Sequence, residues 1–99
     1  MKINKTQNGA DLTVSLEGRL DTTTAPELEA ALGSLDGVTK LVFDMAKLEY
    51  VSSAGLRVLL AAQKKMEKSG GDMAVVNVNE EIQEIFEVTG FDEVLNIEA

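Results

Sequence analysis

Two adjacent serines, Ser52 and Ser53, stand immediately before the run Ala54-Gly55-Leu56-Arg57-Val58-Leu59-Leu60. Leu56, Leu59 and Leu60 recur at helical spacing, so the two hydroxyls fall at a helix N-terminus, where either side chain can cap by accepting from a free backbone N–H. A serine can also act as a nucleophile, but it then needs a base. The chain has no histidine and no cysteine, and it lacks both the Gly-x-Ser-x-Gly elbow and the phosphate-cradling Gly-x4-Gly-Lys-Ser/Thr loop. Only a lysine or a carboxylate is left to serve, so a catalytic residue, a metal site and a cofactor are all unexpected. Asp21 and Asp44 fall at expected strand ends. As a pair they would suit acid–base chemistry or magnesium, but acids at such ends also serve as turn and cap residues, and that is the reading adopted. Arg57, one turn after Ser53, is placed to meet a phosphate or a partner, although an exposed helical arginine needs no function. Gly55 either admits a partner's backbone or is merely tolerated in the first turn, at up to ~1 kcal/mol relative to alanine.

Stepwise along the chain, Met1–Thr6 and Asp11–Leu20 read as paired strands. The second alternates Leu12, Val14 and Leu16 inward against Thr13, Ser15 and Glu17 outward until Gly18. Asn8-Gly9 between them suits a tight turn because both residue types tolerate positive φ. Thr24-Ala25-Pro26-Glu27 has capping-box spacing and opens a helix with the face Leu28, Ala31, Leu32 and Leu35, which Gly33 and Gly37 loosen and end. Leu41–Phe43 is a buried strand closed by Asp44, and Met45–Ser53 is expected as a loop. The serine-capped helix runs to about Lys68, with Met66 on the flank of its stripe. Gln63 and Glu67 dilute that stripe, so the helix is expected to leave the core towards its end, where Lys64, Lys65 and Lys68 complement the dipole and Gly70-Gly71 stop it. Met73–Val78 is the next strand. Asn79 caps a third helix with the face Ile82, Ile85, Phe86 and Thr89, closed by Gly90 with Phe91 packing back, and Val94–Ile97 adds a short final strand.

A hairpin followed by alternating helices and strands implies an α/β fold, a small mixed sheet with an N-terminal antiparallel hairpin, then parallel strands, and helices packed against it. Asp44 and Ser53 are then expected near one rim, with the loop Met45–Ser53 beyond the carboxyl ends of the strands as the functional crevice.

Ninety-nine residues, 44% of them hydrophobic with a single proline, suit one domain, residues 1–99, with a modest core and no need of disulfides. The absence of cysteine and of any long apolar stretch points to a cytoplasmic protein without membrane insertion. A formal charge of −8 opposes nucleic acid and anionic lipid, and favours a protein partner with a basic face or simply a well-solvated surface.

Leu16-Glu17-Gly18-Arg19-Leu20-Asp21, the strand ending in Asp44, Ser52-Ser53-Ala54-Gly55-Leu56-Arg57 and Phe86-Glu87-Val88-Thr89-Gly90-Phe91 together resemble the STAS family, named for sulphate transporters and anti-sigma factor antagonists. The resemblance spans nearly the whole chain. It is nearest to the compact anti-sigma factor antagonists, which implies a partner-switching phosphoprotein in transcription regulation: it binds an anti-sigma factor serine kinase, frees a sigma factor, and is inactivated by serine phosphorylation until a phosphoserine phosphatase restores it. The implied acceptor, two residues before the glycine, is Ser53. The family often has Asp before it and a hydroxyl after it; here Ser52 offers a second hydroxyl and Ala54 none. The implied partner face comprises Asp21, Ser52, Ser53, Ala54, Gly55, Leu56 and Arg57. The other role implied by the same family is an accessory subunit of a membrane transporter complex.

Overall fold

The computed structural model describes residues 1–98. Strands β1 (Lys2–Asn8) and β2 (Asp11–Leu20) form an antiparallel hairpin whose register runs from Asn8 opposite Asp11 to Lys2 opposite Glu17. The first strand therefore extends two residues past Thr6, and the turn is Gly9-Ala10 rather than Asn8-Gly9. Gly9 alone takes the positive φ, +62°, that this turn demands. Helix α1 (Ala25–Leu32) leads to β3 (Lys40–Val51), α2 (Ser53–Ser69) to β4 (Asp72–Val76), and α3 (Glu80–Thr89) to a short 3-10 turn at Phe91–Glu93. The sheet order is β1-β2-β3-β4, with β2, β3 and β4 parallel. This is the mixed sheet expected from the sequence.

One face of the sheet carries the core. Register aligns Leu12, Leu41 and Met73 in one row and Val14, Phe43 and Val75 in the next, all buried. Leu28 of α1, Leu59 and Met66 of α2, and Ile82 and Phe86 of α3 join the same cluster. The reverse face presents Thr13, Ser15, Val42 and Asp44, all half-exposed.

Several local expectations are corrected. The largest concerns β3, which does not stop at Asp44: Met45–Val51 continues the strand rather than forming a loop. Its pairing steps from Ser15–Asp44 to Glu17–Lys47, and from Gly18–Leu48 to Arg19–Tyr50, so β3 gains one extra residue at each step. These are β-bulges, and they place Met45, Leu48 and Val51 inward at three-residue spacing. Helix α2 does not leave the core at its end, since Met66 is buried there. No capping box opens α1, because the Thr24 hydroxyl instead donates to Arg19 O at 2.8 Å and accepts from Asp21 N at 2.8 Å. Finally, β4 stops at Val76, and Val94–Ile97 contributes only a single parallel bridge, Val75 with Ile97. On α3, Thr89 is exposed and donates its hydroxyl to Ile85 O at 2.7 Å instead of joining the buried face. Among the described residues no helix is long and apolar enough to cross a membrane.

Candidate functional site

The end of β2 and the start of α2 are tied by one backbone hydrogen bond, in which Ser52 N donates to Leu20 O at 2.8 Å. Ser52 is extended, with φ −93° and ψ 175°, and its Oγ accepts from Gly55 N at 3.4 Å. It is therefore the N-cap. Ser53 is the first helical residue, with an exposed side chain that takes no part in capping. The choice between the two serines, open on local grounds, is made by where β3 ends.

Asp21 follows Leu20 directly and so lies beside Ser52. Its Oδ1 accepts from the Thr23 hydroxyl at 2.8 Å, Thr23 N at 3.0 Å and Thr24 N at 3.2 Å. The Thr23 hydroxyl above all, with these backbone N–H groups, holds the carboxyl below its ordinary value against a desolvation that raises it. The other oxygen, Oδ2, stands 4.0 Å from Arg19 Nε, and the Arg19 guanidinium lies 4.4 Å from the centroid of the Tyr50 ring. Arg19 and Tyr50 are register partners on β2 and β3, so pairing within the sheet stacks a cation on an aromatic face at this rim. The sequence does not display this stacking, because Tyr50 falls in the stretch expected as a loop and its pairing with Arg19 exists only once β3 continues to Val51.

Asp44 is not part of this site. It sits in the middle of β3, seven residues before Val51 or about 20 Å at strand rise. Its Oδ1 accepts from Ala46 N at 3.0 Å and Asn77 Nδ2 at 3.1 Å. Asp21 and Asp44 are thus no carboxylate pair, and neither joins a group of three potential metal ligands among the described residues.

Of the expected partner face, Asp21, Ser52, Ser53, Ala54 and Arg57 meet at one end of the molecule with at least partial exposure. Gly55 and Leu56 are buried under it, and any part they take is through the backbone or through support. A concave groove runs between α1 and α2 from this end. It is lined by the apolar residues Ala25, Pro26, Ala54, Val58 and Ala61, with Glu29 and Arg57 as its charged lining residues.

A short mixed sheet with helices on one face, ending in a serine-bearing helix N-terminus beside an acidic turn, defines a small α/β domain whose distinctive surface is that rim. The chain belongs to the STAS domain family, which it matches over residues 2–99. It is 32% identical over 93 residues to BtrV of Bordetella bronchiseptica, covering 92% of this chain and 80% of that protein. It is 28% identical over 100 residues to the anti-sigma-B factor antagonist of Bacillus subtilis, covering 100% and 92%. The crystal structure of an anti-sigma factor antagonist from Mycobacterium paratuberculosis superposes with a TM-score of 0.84 at 30% identity, covering 97% of this chain and 83% of that one.

Proposed function

We propose that this protein is an anti-sigma factor antagonist that works by partner switching. Unphosphorylated, it binds an anti-sigma factor serine kinase through the rim formed by Asp21 and Ser52–Arg57, and the sigma factor is released. The kinase transfers the γ-phosphoryl group of ATP to Ser53, and a phosphoserine phosphatase reverses the step. Family membership and the names of the relatives support the class of function. The observation that carries the site is the separation of roles between the serines: Ser52 is used as the cap, and Ser53 is exposed at the first helical position with its hydroxyl free of that duty.

The physics of the switch follows from that position. A phosphate adds about −1.5 to −2 charge at neutral pH, and the free N–H groups and dipole of a helix N-terminus accommodate it in the uncomplexed protein. Pressed against a partner shaped for a neutral hydroxyl, the same group must be desolvated with no counter-charge supplied by the partner. A penalty of about 3 kcal/mol weakens such a complex roughly a hundredfold.

The test is to incubate wild type, Ser53→Ala, Ser53→Asp and Ser52→Ala with the co-purifying kinase and ATP, map the phosphate by mass spectrometry and measure kinase binding. Phosphate on Ser53, binding retained in Ser53→Ala and weakened in Ser53→Asp is the expected result. Phosphate on Ser52, or full affinity after stoichiometric modification of Ser53, refutes the assignment.

A further inference from the structure

We propose that Arg57 is the intramolecular receptor of the phosphate on Ser53, so that phosphorylation withdraws the one cation from the lining of the α1–α2 groove. This rests on Ser53 being the modified residue. Ser53 and Arg57 are four residues apart on α2, hence neighbours on one helix face. Helical side chains lean towards the N-terminus, so the Arg57 side chain is directed back over the turn that begins with Ser53. Only Ala54 and Val58 on α2 flank it on the groove side, with Ala61 one turn further on.

Arg57 is exposed and makes no ion pair among the described residues; the one present joins Arg19 to Asp21. That contrast matters, because Arg19 is already engaged by Tyr50 and Asp21, whereas the guanidinium of Arg57 is uncommitted. Glu29, on α1, is the one acidic residue of the groove lining and forms no ion pair with it. The first turn of α2 contains no carboxylate to compete for the same place.

Phosphoryl transfer forms the Ser53 Oγ–P bond, breaks the bond to ADP, and gives the hydroxyl proton to the kinase. The product carries three strong acceptor oxygens, which match the planar donor fork of a guanidinium. Capture changes the groove lining from an unpaired cation to a site of net negative charge. A partner group that had used Arg57 loses it at the same moment that it meets the phosphate.

The experiment uses full-length protein with phosphoserine placed at position 53 by ligation or by genetic encoding, which makes it independent of any kinase. The second ionisation of the phosphate is followed by phosphorus NMR in wild type, Arg57→Lys and Arg57→Gln. A free phosphoserine ionises near pH 6, and the helix N-terminus lowers all three variants alike. Pairing with Arg57 lowers the wild-type midpoint by about half a pH unit relative to Arg57→Gln, with Arg57→Lys between them. Identical midpoints in wild type and Arg57→Gln overturn the proposal. If the kinase leaves Ser53 unmodified while these titrations differ as stated, the assignment of Ser53 as the natural acceptor fails and the phosphate–Arg57 pairing stands.

Discussion

The Cα of Gly55 is packed against the side chain of Leu20 so closely that a methyl group in place of its hydrogen would stand 2.6 Å from Leu20 Cγ, 3.0 Å from Leu20 Cδ2 and 3.0 Å from Val51 Cγ2. The glycine is thus required by the chain's own core, because the first turn of α2 rests on the last residues of β2 and β3. The same contact sets Ser52 N on Leu20 O and brings Asp21 alongside the serines.

Gly55→Ala is expected to destabilise the protein. Overpacking costs ~1–3 kcal/mol, and alanine's better helix propensity offsets at most ~1 kcal/mol of it. Urea denaturation should show the midpoint falling; an unchanged or raised midpoint would mean that Leu20 yields freely.

Neighbouring leucines on α2 should respond differently. Leu59 is fully buried whereas Leu60 is half-exposed, so Leu59→Ala should cost about 2–5 kcal/mol and Leu60→Ala distinctly less. Equal losses in chemical denaturation would contradict the orientation of the helix.

Ser52→Ala removes the cap of α2. With the Oγ to Gly55 N bond at 3.4 Å, the loss should lie towards the lower end of the ~0.5–2 kcal/mol span for N-caps. Ser53→Ala, lacking that bond, should leave the thermal midpoint nearly in place. A larger loss in Ser53→Ala than in Ser52→Ala would reverse the assignment of cap and first helical residue.

Asp21 links the rim to pH. Its carboxyl ionises below its ordinary value in the folded state, so the folded protein binds its proton less readily than the unfolded chain. The stabilisation is complete above the unfolded value, near pH 4, and fades as pH falls through the lower folded one. Carbon-detected NMR of the Asp21 carboxyl should give a midpoint below that of a model peptide. The stability gap between wild type and Asp21→Asn should narrow on acidification; a gap that widens there would show the sign to be wrong.

Much of this architecture is written in local signals. Alternation along Leu12–Leu16, the Asn79 side chain that accepts from Ile82 N, and the left-handed Gly70 and Gly90 at helix ends are each short-range chemistry, and a sequence displays such chemistry directly. So are the two serines ahead of an apolar helical stripe. The second half of β3 is different: two bulges replace the period-two pattern by the spacing Met45, Leu48, Val51, and only pairing with β2 reveals that this segment is a strand. That pairing also separates Asp44 from the serine rim, places Tyr50 under Arg19, and ends β3 at Val51 so that Ser52 caps and Ser53 is left exposed. Gly55 likewise looks dispensable along the helix and becomes necessary only where Leu20, thirty-five residues earlier in the chain, closes over it. Contacts between residues distant in sequence leave no periodic trace in either segment, and for that reason the tertiary structure alone decided them.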